Sequence, residues 1–481
     1  MANDASTVFD LVILGGGSGG YAAALRASQL GLDVALIEKG KVGGTCLHNG
    51  CIPTKALLHA GEVADQTRES AQFGVKATFE GIDIEAVHKY KDDVISGLYK
   101  GLQGLIASRK VTYIEGEGRL SSPTSVDVDG RRVEGRHVLL ATGSVPKSVP
   151  GLDIDGDRII SSDHALKLNR VPKSAIILGG GVIGVEFASA WESFGTEVTV
   201  IEGLKHLVPA EDENSSKLLE RAFRKRGIKF NLGTFFDKAE YTQDGVRVTL
   251  ADGKTFEAEV LLVAIGRGPV SQGLGYEEAG VAMDRGYVLV DEYMRTNVET
   301  VSAVGDLVPT LQLAHVGFAE GILVAERLAG ERPVPIDYDG VPRVTYCHPE
   351  VASVGILRGQ GQGDLRRGQG RRPQVQPRGQ RQEQDPEDRG RDQARPGQGR
   401  CRGRRPHGRR PHGRAGRRGP AHLQLGGAPR RGRPAHPRPP DAERGARRSA
   451  PGPRGQAAAL ARLTVPGRET TTDFRTFVRS T

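Results

Sequence analysis

The sequence predicts an α/β protein of the doubly wound kind, and three observations carry that prediction. A short apolar run, Phe9–Leu14, leads into a glycine-rich turn and then an alanine-rich segment of helical character. The same order of run, turn and helix recurs from Ser174. Both lie in an ordinary acidic stretch that changes composition abruptly near residue 357.

The chain has 481 residues, which suggests three or four domains. Its 4 cysteines are too few for a disulfide-stapled secreted scaffold. No apolar run approaches the ~18 residues of a membrane span. The start, MANDASTVFDLVILGGG, has no basic region ahead of its apolar stretch, which runs straight into glycines and reads as a strand. A soluble, reducing, cytoplasmic setting without membrane contact is the expectation.

Net charge divides the chain. From Arg358 to Thr481 there are 31 Arg, no Lys and 10 acidic residues, a net of +21. The preceding part holds 36 basic and 48 acidic residues, a net of −12. The basic part is rich in Gly, Pro and Gln and has no Phe, Tyr or Trp before Phe474. Such a segment cannot bury enough apolar surface to offset its ordering entropy, so 358–481 is expected to be a disordered tail.

Phe9–Leu14 is short and apolar, as a buried parallel strand should be. Gly15, Gly17 and Gly20 follow as G-x-G-x-x-G, then a helix, then the strand VALIE ending at Glu38. The spacing has a mechanism: glycines permit a tight turn and close backbone approach, the helix N-terminus meets a pyrophosphate, and Glu38 accepts from a ribose. The unit recurs as SAIIL, then Gly179, Gly181 and Gly184, a helix, and VTVIE ending at Glu202. Two Rossmann-like dinucleotide sites point to electron transfer between a flavin and a nicotinamide. A carboxylate at Glu202 suits a free 2′-hydroxyl and repels a 2′-phosphate, favouring NAD over NADP.

Between the two units lies GGTCLHNGCIPTK, Gly43–Lys55, with Cys46 and Cys51 five apart. Cys347 and Cys401 sit far off in unlike contexts, which argues against zinc. Two cysteines one helical turn apart beside a dinucleotide fold suit a reversible redox disulfide. Taken alone, the spacing equally fits inert core cysteines.

With that stretch the sequence resembles the flavin-dependent pyridine nucleotide-disulfide oxidoreductases. Further similar motifs follow in order: ATGS at Ala141–Ser144, GGGVIGVE at Gly179–Glu186, AIGRGP at Ala264–Pro269, AVGD at Ala303–Asp306, LAH at Leu313–His315 and YCHPEVASVG at Tyr346–Gly355. The resemblance implies an FAD domain over 1–150, an NAD domain over 151–270, a central part completing the FAD domain over 271–345, and the start of an α+β dimerisation domain at 346–357.

The resemblance also implies roles. Cys46 would attack the substrate disulfide, and Cys51 would be the thiolate facing FAD. Lys55 and Glu186 would form an ion pair beside the flavin. Gly44, Thr45, Gly118, Thr142, Gly143, Ser144, Gly266, Arg267, Asp306 and Ala314 would join the three glycines and the acid of each unit as cofactor contacts. The activity implied is oxidation of dihydrolipoamide, carried on the lipoyl domain of a 2-oxo acid dehydrogenase complex. Electrons would pass from it through the Cys46–Cys51 disulfide and FAD to NAD⁺, with protein groups orienting and tuning the cofactors. No metal is implied.

After SVGI the chain departs from the family. The resemblance implies a homodimer and a His-Pro-x-x-x-Glu base near the C-terminus, yet Ala435-His436-Pro437 and Arg405-Pro406-His407 lack the glutamate spacing. A shifted reading frame would account for this. With suitable synonymous codons, dropping one base turns Gly359–Gly363 into Ala-Lys-Ala-Lys-Glu, a helix start. It turns Gly370–Glu383 into Lys-Val-Val-Ala-Leu-Lys-Tyr-Asn-Leu-Ala-Gly-Asn-Gly-Lys, a strand and turn. It lets Pro439–Gly445 encode His-Pro-Thr-Gln-Ser-Glu. Two other function classes stay open: a disulfide reductase for glutathione-like, mycothiol-like or mercuric substrates, and a polyanion-binding protein acting through the basic tail by counterion release.

Overall fold

Phe9–Leu14 is apolar after Asp10 and is stable only with neighbours on both edges and both faces. In the computed structural model, which describes residues 8–355, this strand (β1) is hidden from Leu11 onward. The basic segment 358–481, with its frame-shift explanation and its histidine remnants, lies outside the described residues.

β1 leads to α1 (Ser18–Gln29), β2 (Val34–Glu38), α2 (Gly44–His48), α3 (Cys51–Glu69) and α4 (Ile84–Ser108). β3 (Thr112–Glu115), β4 (Gly118–Ser122), β5 (Ser125–Val128) and β6 (Arg131–Leu140) follow. Their sheet runs β3-β2-β1-β6-β5-β4. β3, β2, β1 and β6 are parallel, whereas β4, β5 and β6 form an antiparallel meander. Asp83 caps α4 by accepting from the Ala86 N–H at 3.1 Å.

The chain then crosses through β7 (Ser144–Pro146) into a second sheet: β8 (Ile159–Ser161), α5 (Ser162–Ala165), β9 (Ser174–Leu178), α6 (Val182–Phe194), β10 (Glu197–Glu202), α7 (Glu213–Arg226) and β11 (Lys229–Leu232). An antiparallel layer of β12 (Phe236–Tyr241), β13 (Val246–Leu250) and β14 (Thr255–Ala258) precedes β15 (Val260–Val263). The main order is β11-β10-β9-β15-β8, all parallel. α6 is apolar on nearly every face and is accordingly buried.

The return crossing, β16 (Arg267–Pro269), pairs antiparallel with β7, so the two connections form one ribbon. After the small hairpin of β17 (Met283–Asp284) and β18 (Tyr287–Val288), β19 (Val301–Ala303) adds to β6 of the first sheet. α8 (Ala314–Leu328) packs on α1 through glycines: a Cβ on Gly321 would lie 2.2 Å from the Gly19 carbonyl oxygen. β20 (Arg343–Thr345) and β21 (Val351–Ser353) form a last hairpin, whose Cys347 and Val351 join the core around Phe187 and Trp191 of α6. Among the described residues no helix is long and apolar enough to cross a membrane.

Candidate functional site

The two glycine turns share one construction. Gly15 and Gly179 have positive φ, +107° and +110°, where side chains are strained. A Cβ on Gly20 would lie 1.9 Å from the Gly15 carbonyl oxygen, and one on Gly184 would lie 1.9 Å from that of Gly179. The middle glycines differ. A Cβ on Gly181 would meet nothing within 4 Å, and one on Gly17 only the Gly44 Cα at 4.0 Å. No side chain caps α1 or α6. Open space at the middle glycine and an uncapped helix N-terminus are what a pyrophosphate needs.

The acids at the strand ends brace these turns. Glu38 accepts from the N–H groups of Gly16 at 2.7 Å and Gly40 at 2.8 Å. Glu202 accepts from Gly180 at 2.7 Å and Leu204 at 2.8 Å. Each carboxylate oxygen keeps a further lone pair for a ribose hydroxyl. These residues fit two dinucleotides.

Between the turns, a polar chain joins distant motifs. Arg267 donates to the Ser144 hydroxyl at 2.8 Å, the Ser144 carbonyl at 2.7 Å and the Thr45 hydroxyl at 3.3 Å. Ser144 in turn donates to Asp306 at 2.5 Å. Asp306 lies in the turn after β19, where buried Glu320 of α8 accepts from Gly305 N–H at 2.6 Å, Thr310 at 2.8 Å and Tyr338 at 2.8 Å. Burial pushes the Glu320 pKa above the usual carboxylate range, and the nearby Asp306 adds to the rise.

Other expected contacts are placed differently. The Thr142 hydroxyl donates inward to the Val270 carbonyl at 2.6 Å, so only its main chain is offered outward. Gly118 packs against Leu14, whose Cδ1 would lie 2.5 Å from an added Cβ. Gly143 and Gly266 have φ of +70° and +115° with free space beside them, and Ala314 opens α8.

Cys46 lies in α2 and Cys51 begins α3, because the chain breaks helix at Asn49–Gly50. This corrects the expectation of one helical turn. Both are free thiols, and Cys46 hydrogen-bonds Cys51. That bond, helped by the Lys55 ammonium and opposed by burial, brings Cys51 down to about 7. The same bond, with burial, drives Cys46 far up, so its proton stays. Lys55 donates to both oxygens of Glu186, at 3.0 and 3.1 Å. His48, between the cysteines, is held by the Val42 carbonyl at 3.0 Å. Alkylation of the reduced protein by iodoacetamide should label Cys51 with a midpoint near pH 7 and spare Cys46. Lys55→Met should raise that midpoint by about one unit or more; a midpoint near 9 in the parent protein would contradict the arrangement.

Two residues of this cluster are not among the site residues that the sequence names. Tyr21 in the first turns of α1 faces both thiols, and burial first, then those thiols, pushes its phenol well above the usual range. Tyr346 donates its main-chain N–H to Glu186 at 2.9 Å and sets its ring 4.6 Å from the Lys55 ammonium. Tyr21 follows the last glycine of the first turn and Tyr346 opens the YCHPE stretch, but nothing in the sequence says what either touches.

A double dinucleotide fold with an acidic thiol between its halves defines a flavin- and nicotinamide-linked disulfide oxidoreductase. Residues 9–321 match the family model described as pyridine nucleotide-disulphide oxidoreductase, and the chain belongs to that family. It is an NAD-dependent FAD disulfide oxidoreductase. It is 44% identical over 359 residues to a mitochondrial dihydrolipoyl dehydrogenase of Pisum sativum, covering 72% of each chain. It is 42% identical to a dihydrolipoyl dehydrogenase of Bacillus subtilis (strain 168), covering 73% of this chain and 78% of that one. The crystal structure of LpdA from Mycobacterium tuberculosis superposes with a TM-score of 0.68 at 31% identity, covering 72% of this chain and 78% of that one.

Proposed function

We propose that the chain is a dihydrolipoyl dehydrogenase, acting on dihydrolipoamide carried by a 2-oxo acid dehydrogenase complex. The observation that carries this is the Cys46–Cys51 couple, with one sulfur acidic and the other protonated, beside the Lys55–Glu186 pair. Relatives named for that activity at 41–44% identity support it.

In this proposal the oxidised couple is a disulfide. A substrate thiolate attacks the sulfur of Cys46, forming a mixed disulfide and releasing Cys51 as thiolate. The second substrate thiol then displaces Cys46, giving the cyclic disulfide product and leaving two electrons on the protein thiols. Cys51 is the better leaving group because its thiol is the more acidic. Lys55 stabilises the charge it acquires, and Glu186 holds Lys55. The chemistry that FAD would supply when bound is the two-electron link between these thiols and NAD⁺. Gly15, Gly17, Gly20, Glu38, Gly44, Thr45, Ser144 and Asp306 would hold the first cofactor, and Gly179, Gly181, Gly184, Glu202 and Gly266 the second.

The substrate thiol also needs a base. The His-Pro-x-x-x-Glu motif implied by the resemblance does not occur in this sequence, whose His436-Pro437 is followed at that spacing by Asp441, so we expect NADH-to-dye transfer with dihydrolipoamide turnover lower by ~10²–10⁴. Near-normal turnover would refute that expectation. The proposal itself is tested with purified FAD-loaded protein: NADH formation with dihydrolipoamide supports it, and turnover with glutathione or a mycothiol-like substrate instead would transfer the chain to another disulfide reductase of the family. A cytoplasmic location and salt-dependent polyanion binding by residues 358–481 complete the proposal, and the family's homodimer is not expected here because the sequence departs from the dimerisation domain after SVGI. Resequencing codons 350–365 tests the shifted frame.

Glu202→Gln should keep the bond to Gly180 while removing the negative charge. The preference for NAD⁺ over NADP⁺, as a ratio of kcat/KM values, should fall by ~10–100-fold. An unchanged ratio would show that Glu202 does not set cofactor choice.

A further inference from the structure

We propose that Tyr346 is a positioning residue for the thiol couple. Its ring and main-chain N–H hold the Lys55–Glu186 pair in one arrangement, and the hairpin that bears it is clasped by Ser189 and Arg226. This rests on the assignment of Cys51 as the charged thiol in the proposed function.

Lys55 has a side chain 34% exposed, whereas that of Glu186 is 5% exposed. A flexible ammonium so placed has water as an alternative partner. Two contacts oppose its escape: the Glu186 carboxylate and the Tyr346 ring, 4.6 Å from Nζ. The same tyrosine fixes Glu186, whose Oε1 accepts from both Lys55 and the Tyr346 N–H. One residue therefore touches both members of the pair.

The hairpin is itself anchored. The Ser189 hydroxyl accepts from the His348 N–H at 2.9 Å and from Arg226 at 2.7 Å, and Arg226 also donates to the His348 carbonyl at 2.9 Å. Cys347 is wholly buried beside them. Arg226 further bonds Asp65 of α3 at 3.2 Å, so the helix that begins at Cys51 and carries Lys55 is tied to the same clasp.

The groups facing Cys51 are Cys46 of α2, Lys55 on its own helix, Glu186 of α6 and Tyr21 of α1. Of these, Lys55 alone is a cation. Beyond the Cys46 hydrogen bond, the stability of the Cys51 thiolate thus depends on where that ammonium rests.

The test is the pH dependence of Cys51 alkylation by iodoacetamide in the reduced, FAD-loaded full chain, read by peptide mass spectrometry. Tyr346→Leu should raise the midpoint by about half a unit to one unit, and Tyr346→Phe should leave it in place. Ser189→Ala should raise it as Tyr346→Leu does, and the double variant should shift no further than the larger single change. An unmoved midpoint in both Tyr346→Leu and Ser189→Ala would overturn the proposal, as would additive shifts. Dihydrolipoamide turnover is measured separately: its absence in the parent protein would sink the substrate assignment while the midpoints still decide the role of Tyr346.

Discussion

Reductive titration of the FAD-loaded protein should consume four electron equivalents per chain, two at the sulfur couple and two at the flavin. Replacing either sulfur, as Cys46→Ser or Cys51→Ser, should halve that to two. Dihydrolipoamide-dependent NADH formation should fall to background in both variants, because neither can form the disulfide that a substrate thiolate attacks. NADH-to-dye transfer should survive, since it does not need the sulfurs. The variants should differ in one respect. With Cys46 retained and Cys51 replaced, the hydrogen bond that stabilises the Cys51 thiolate has no thiolate to serve, so Cys46 should titrate much closer to an ordinary thiol. Four electrons taken up by either variant would place the redox couple elsewhere.

Gly20→Ala should abolish flavin binding and destabilise the fold by ~3 kcal/mol. The added methyl would lie 1.9 Å from the Gly15 carbonyl oxygen, a main-chain atom that cannot move without opening the turn. Opening it withdraws the α1 N-terminus and the Gly16 N–H held by Glu38 at 2.7 Å. The control is Gly104→Ala in α4, where a Cβ meets nothing within 4 Å. That change should be neutral or stabilising by up to ~1 kcal/mol. Flavin content after gel filtration and the melting temperature read both outcomes; a yellow, stable Gly20→Ala protein would overturn the account of the turn.

What was legible in the sequence was local. Each glycine turn and its strand-end acid lie 22 residues apart, within one strand–helix–strand unit, and the spacing alone exposes the arrangement. The site between the units is assembled from segments far apart in the chain. Ser144 meets Asp306 across 162 residues, Arg267 meets Thr45 across 222, and Tyr346 meets Glu186 across 160. No periodicity records such meetings. The resemblance named Ser144, Arg267 and Asp306 as separate contacts, but their joining as one polar chain is a property of the fold. The split between α2 and α3 was hidden for another reason: Asn49–Gly50 is a weak break inside a stretch whose spacing reads as one helix.

The ribbon of β7 and β16 limits how the two halves can move. Its pairs are Arg267 with Pro146, Gly268 with Val145 and Pro269 with Ser144, flanked by backbone bonds from Lys147 to Gly266 and from Val270 to Gly143. Sliding one half along the other would shear this ladder, while twisting about its long axis leaves it whole. The ribbon is one of several fastenings, since Lys55–Glu186 and Arg226–Asp65 tie α3 to α6 and α7 as well, so a nick in either of its strands leaves the halves still joined.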